Sequence, residues 1–518
     1  MKNGRLTKFI QTHLYTILLV AIIALAAFFR FYQLNHLPPG LHPDEAANGL
    51  DIFRILEHHD IRPLYNTNGP RESLFFFLQA IFVAILGNTI LALRIAPALI
   101  GVAAVFTTYL WAKSWFGARV GLLAAVIMAV NPWAVTITRD GFRASMTPLF
   151  VSLVAYLYTR AFQTKSKRWF IAAGATMGLG MYTYLSFRLF PVALAAIWLA
   201  LEIWRRDFIK PFRKSIIASL IAFAILMIPM GLYGIKHPGD LGARASGTSF
   251  LNKDLNGGHP VQTLASNIAK TALMFNVHGD ENYRQNLGGQ PLLNIFVGVM
   301  FILGILICLV HFNRPRYYGL IFIFGAMLVP EVLTAEGIPH ALRSIGALPA
   351  AVILAALGIE YMLERWYATF PINAAARYSG LAIILVLIGL TIYQGYTQYF
   401  VAWANSPQTY EAYSEDSVAL AKYMLAHPFT GERYAVVDGY SDKTVYYLTH
   451  NHLSYTRIDP SQIAGLPVDG QPKQFVIVRS QYDAAIKPLR DHWAGGKLSP
   501  GYSTFNASEI YDVYEVTK

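Results

Sequence analysis

The chain has 518 residues, of which 55% are hydrophobic and only 14% charged, with a mean hydropathy of +0.39 and a formal net charge of +12. Soluble globular proteins carry about 25% charged residues, so a water-soluble globule is excluded, and the continuous, non-alternating apolar runs exclude a membrane β-barrel. Most Lys and Arg fall in short loops between those runs, which ties the positive charge to membrane orientation and anionic headgroups rather than to nucleic acid.

In chain order, the basic flank "MKNGRLTKF" precedes an uncleaved first span at 13–33. Further spans are expected at 89–112, 118–136, 145–162, 169–185, 188–204, 215–235, 291–311, 317–334, 341–363 and 378–397. The run 72–87 is short for a crossing, and charge decides its fate. With 72–87 lying in the interface and the N-terminus cytoplasmic, the inner loops hold Lys113 and Arg119; Lys165, Lys167 and Arg168; Arg205, Arg206, Lys210, Arg213 and Lys214; Arg314 and Arg316; and Arg365 and Arg377. That matches the positive-inside rule; a crossing at 72–87 would put all these clusters outside. Eleven spans and a juxtamembrane helix are therefore expected in residues 1–397, with outer loops at 34–88 and 236–290.

Residues 398–518 are polar, with β-like runs "RYAVVDG", "TVYYLTH" and "QFVIVRS" and a helical pattern "EDSVALAKYMLAH". They read as a small extracytoplasmic α/β domain. No glycine-rich phosphate loop follows "RYAVVDG", so no nucleotide is expected. The single cysteine, Cys308, rules out an intrachain disulfide and a cysteine metal cluster.

The outer loops gather the chemistry. The first holds "PPGLHPDEAANGLDIF" with Asp44 and Glu45, then Arg71 and Glu72; the second holds Arg139, Asp140 and Arg143. "YTYLSFR" brings Tyr184 and Arg188, the large loop His278, Asp280, Glu281 and Arg284, and the last His340 and Arg343. Guanidinium forks suit phosphate, and a partly desolvated carboxylate suits a general base. Each residue also has a plainer reading. Asp44 and Glu45, after Pro43, suit a helix N-cap; Arg139 and Arg143 suit ion pairing or headgroup contact; Arg343 suits a span anchor. The convergence of five loops on one face favours function.

The order of "HPDEAANGLDIFRIL", "NGPRESLFFFLQAIFVAILG", "LRIAPALIGV", "SWFGARVGLLAAVIMAVNPWAVTITRDGFRASMTPL", "MYTYLSFRLFP" and "PHALRSIGALPA" resembles the GT-C membrane glycosyltransferases. Within them it is most similar to bacterial protein-mannosyltransferase-like and aminoarabinose-transferase-like proteins. The resemblance implies sugar transfer, with inversion, from a polyprenyl-phosphate-linked donor to an acceptor hydroxyl on a protein, lipid or glycan, at the outer face of the plasma (inner) membrane. It implies Asp44 as general base, Glu45 as the second acid, and Arg343 on the donor phosphate. Arg139, Arg143, Tyr184, Arg188, Asp280, Arg284 and His340 are implied as further substrate contacts. Glu72, with His278, is implied as a ligand pair for a divalent ion (Mg, Mn or Zn). A lipid flippase or transporter would need charges near mid-span and related halves, whereas most charges here gather at span ends. A polysaccharide polymerase or ligase would separate by acceptor.

Overall fold

The computed structural model describes residues 2–517. Each of the eleven expected spans is helical. Six stretches are long and apolar enough to cross a membrane by length and composition, among the described residues: His13–Phe31, Ile90–Phe116, Leu185–Trp204, Lys210–Lys236, Ile345–Thr369 and Ala374–Trp403. The run expected at 118–136 is broken into helices Ala118–Val130 and Pro132–Ile137. The cause is local: Pro132 starts the second helix, and the Asn131 side chain caps it by accepting from the Ala134 N–H. The interfacial candidate is the 13-residue helix Leu74–Leu86. At 1.5 Å per residue that is about 20 Å, short of the roughly 30 Å hydrocarbon core.

The chain divides into two compact units. The first comprises Met1–Tyr32, Arg62–Phe75 and Pro97–Ala402. Its central helix, Leu348–Thr369, packs on Ala118–Val130, Ile295–Val310 and Pro315–Val332. Contact with Ile295–Val310 is backbone-close: a Cβ on Gly304 would meet the Leu354 carbonyl at 1.9 Å, and one on Gly358 the Met300 carbonyl at 2.1 Å. Small residues at a crossing let two helices approach where lipid supplies no hydrophobic drive.

The second unit comprises Gln33–Ile61, Phe76–Ala96 and Trp403–Lys518. Its sheet has β1 (Glu432–Val436), β2 (Thr456–Ile458), β3 (Lys473–Val478), β4 (Lys497–Tyr502) and β5 (Glu509–Val516), in the order β2-β1-β3-β5-β4. β1 runs parallel to β2 and β3, whereas β5 is antiparallel to β3 and β4. Tyr434, Val436, Phe475, Ile477 and Trp493 form its core. "TVYYLTH", expected as a strand, is instead most of the helix Asp442–Thr449. Its buried positions, Thr444, Val445, Tyr447, Leu448 and Thr449, bind the helix to a partner, and this overrides the β-propensity of the individual residues. That partner is the helix Pro43–His58: a Cβ on Gly49 would fall 2.2 Å from the Tyr447 ring, and Thr444 Oγ1 donates to the Leu41 carbonyl at 3.0 Å.

Candidate active site

The candidate residues fall in two groups, one in each unit. Asp44 and Glu45 open the helix Pro43–His58. The N-cap is His42, not Asp44: His42 Nδ1 accepts from the Asp44 N–H at 3.0 Å, and Glu45 reaches back to the His42 N–H at 3.4 Å. The Asp44 carboxylate is thus spared from capping its own helix, and its side chain is 25% exposed. Tyr440, in the turn after β1, donates its hydroxyl to Asp44 Oδ1 at 2.9 Å.

Glu45, one residue on, is fully buried. Its two oxygens meet Arg94 Nε and Nη2, each at 3.1 Å, and Arg94 is itself fully buried. Arg94 Nη1 donates to the Pro38 carbonyl at 2.7 Å, and Nη2 to that of Gly40 at 2.6 Å. The pair therefore fixes the segment leading into Asp44. A bidentate, doubly buried guanidinium–carboxylate pair is a structural clamp, and Glu45 has no oxygen left over for a substrate. Arg94 was missed in the sequence. Its signal was a charge placed inside an apolar span.

In the first unit, Arg139 is fully buried and donates to the carbonyls of Phe29 (2.9 Å) and Tyr32 (2.8 Å) and to the Tyr399 hydroxyl (3.0 Å). Arg143 Nε and Arg188 Nη2 hold the two oxygens of Glu72 at 2.9 and 3.1 Å. The Arg143 guanidinium also lies 5.3 Å from the centre of the Tyr184 ring, and Arg188 donates to the Leu241 carbonyl. Asp140 is fully buried.

The residues present do not fit the implied divalent ion. Both oxygens of Glu72 face guanidinium groups, which repel a cation, and His278 Nε2 lies 2.8 Å from Glu281 Oε1 on an exposed turn. No group of three His, Cys, Asp or Glu side chains suited to a metal occurs among the described residues.

The Arg343 loop is held by a clamp that the sequence did not announce. Three consecutive backbone N–H groups, of His340, Ala341 and Leu342, donate to Glu331 Oε1 (2.6 Å), Asp280 Oδ2 (2.7 Å) and Gln285 Oε1 (3.3 Å). Trp133 Nε1 donates to the Ala341 carbonyl at 2.8 Å. His340 Nδ1 lies 3.8 Å from Asp280 Oδ2, and the Arg284 guanidinium 6.0 Å from the centre of the Phe142 ring. Burial pushes the Asp280 carboxyl up to about 6, against the opposing pull of the N–H groups of Asn282 and Ala341 and of Arg284 and Arg343. Arg343 donates to the Glu336 carbonyl and lies 3.4 Å from its Oε2. The Glu336 side chain is 62% exposed, so that partner is in water and readily exchanged.

Comparison with known proteins bears on this arrangement. The structure aligns over 97% of this chain with ArnT from Cupriavidus metallidurans bound to undecaprenyl phosphate, covering 98% of that chain with a TM-score of 0.60 at 13% identity. The chain has the GT-C fold. The same GT-C architecture aligns with archaeal oligosaccharyltransferase AglB from Archaeoglobus fulgidus, solved with an inhibitory peptide and a dolichol-phosphate. That match covers 97% of this chain and 74% of that one, with a TM-score of 0.57 at 14% identity. Within the GT-C frame, residues 71–232 match the family model described as dolichyl-phosphate-mannose-protein mannosyltransferase. The "Putative mannosyltransferase YycA" of Bacillus subtilis (strain 168) is 26% identical over 170 residues, which span 31% of this chain and about a quarter (24%) of that relative.

Proposed function

We propose that the chain is a glycosyltransferase that moves a sugar from a polyprenyl-phosphate donor to an acceptor hydroxyl at the extracytoplasmic face of the plasma (inner) membrane, with the N-terminus cytoplasmic. Asp44 takes the acceptor hydroxyl proton. The freed oxygen bonds the anomeric carbon as the bond from that carbon to the phosphate oxygen breaks. The configuration inverts, and polyprenyl phosphate leaves. Arg343 neutralises the leaving phosphate by exchanging its exposed partner Glu336 for it. His340, on the same clamped loop, and Arg284, on the segment that carries Asp280, serve the donor. Acceptor proteins, lipids and glycans share the required hydroxyl. No step runs through a metal.

One observation carries the reading. Asp44 presents a partly exposed carboxylate that its own helix cap does not consume, on a chain whose fold aligns end to end with ArnT bound to undecaprenyl phosphate. The test is a screen of the purified protein in nanodiscs against undecaprenyl-phosphate-linked hexoses and pentoses, scoring release of undecaprenyl phosphate in the presence of membrane extracts. Asp44→Asn is expected to abolish release at an unchanged protein level, because Asp44 is not the N-cap. Retained turnover in that variant removes Asp44 as the base.

A further inference from the structure

The C-terminal residues bring one side chain to the proposed base. β1 ends at Val436, and the turn that follows carries Tyr440. Asp438 Oδ1 accepts from the N–H groups of both Tyr440 (2.9 Å) and Ser441 (3.0 Å), which fixes the turn's backbone. The ring is held on two sides. Lys443 Nζ lies 4.9 Å from its centre, and the His42 ring meets it edge-on at 5.9 Å. Its hydroxyl then donates to Asp44 Oδ1 at 2.9 Å, across 396 residues of sequence. The docking beneath is extensive. Tyr447 packs on Gly49, its hydroxyl donates to the Thr89 carbonyl, and Glu57 pairs with His450 at 2.9 Å. The turn at the carboxyl end of a parallel strand is where open α/β sheets place their functional groups.

We propose that Tyr440 is a positioning residue for Asp44. It holds Oδ1 and fixes the plane of the carboxylate that meets the acceptor hydroxyl. Residues 403–518 are thereby part of the catalytic apparatus and not a separate docking module. The proposal rests on the reading of Asp44 as the base. A carboxylate free to rotate spends little time in the geometry that proton transfer requires, so the effect falls on turnover and not on donor binding.

The test compares Tyr440→Phe with wild type and with Tyr446→Phe, an exposed tyrosine on the following helix that serves as control. The probe is undecaprenyl-phosphate-linked mannose, with undecaprenyl phosphate release as the readout and thermal unfolding measured alongside. Tyr440→Phe is expected to lower kcat by about 5- to 20-fold with donor KM within twofold of wild type and unchanged melting, while Tyr446→Phe matches wild type. A kcat within twofold of wild type in Tyr440→Phe, with Asp44→Asn inactive, overturns this proposal and leaves the function standing. A rise in donor KM at constant kcat also overturns it. If Asp44→Asn keeps full turnover, both readings fall.

Discussion

Glu45 decides between two readings of the acidic pair, and its removal has a calculable cost. In the folded protein neither Glu45 nor Arg94 has any exposed side-chain surface. Glu45→Ala deletes both 3.1 Å contacts and leaves the guanidinium with only the Pro38 and Gly40 carbonyls among these partners. Removing one member of a buried pair costs about 3–5 kcal/mol, because the remaining charge stays out of water. Glu45→Gln keeps the shape and one acceptor oxygen, so it should cost less. Glu45→Leu with Arg94→Met removes both charges and leaves the two carbonyls to find new donors, at about 1–3 kcal/mol each. That double variant should be more stable than the sum of its single changes by at least about 2 kcal/mol. The assay is unfolding in mixed micelles followed by tryptophan fluorescence, with donor KM measured on the folded fraction. A Glu45→Ala protein of wild-type stability with a raised substrate KM would refute the clamp and restore Glu45 to the substrate.

Other outcomes follow from the same geometry. Asp280 titrates near 6 in the fold, above the ordinary carboxyl value of about 4, so the folded state binds more protons than the unfolded state between those values. Stability from this group therefore falls as pH rises through that window, and Asp280→Asn should gain on wild type by about 2–3 kcal/mol between pH 4 and pH 7, measured as the difference between two unfolding curves; an unchanged difference refutes it. Arg139→Ala should cost about 2–4 kcal/mol and lower the protein level, since it strands the Phe29 and Tyr32 carbonyls, whereas Arg343→Ala should express normally and raise donor KM at least tenfold. In a Cys308→Ala background, His58→Cys should react with an impermeant maleimide in intact cells and Lys165→Cys only after lysis; labelling of Lys165→Cys from outside would invert the proposed orientation.

Much of the fold was legible because it is written locally. An apolar run of about 20 residues can do little but form a helix in lipid, and so each expected span has its helix. The break at Asn131–Pro132 lay in plain view as a cap and a proline, but hydropathy averages over both. "TVYYLTH" misled because its β-branched and aromatic residues serve a helix face that exists only through docking on the Asp44 helix. The site was legible as residue types and not as partnerships. For Arg139 and Arg143 the residue types allow ion pairing as well as phosphate or sugar contact, and they name no partner; in the fold Arg139 donates to backbone carbonyls, and Arg143 and Arg188 hold Glu72. Arg94 lies 49 residues from Glu45 and Tyr440 lies 396 from Asp44. No spacing rule spans such separations, because only tertiary packing brings these pairs together. The clamp on 340–342 is equally silent, since backbone N–H groups carry no sequence signal.

The unit that holds Asp44 is stitched from three stretches of chain, 33–61, 76–96 and 403–518. This has a consequence for biosynthesis. At about 5–20 residues per second, roughly 20–80 s pass between the ribosome's synthesis of Asp44 and of Tyr440. Throughout that interval the growing polypeptide lacks the helix Asp442–Thr449 that docks on its Asp44 helix. On the proposed mechanism, Asp44 stays without its positioning tyrosine until the last fifth of the chain has been made.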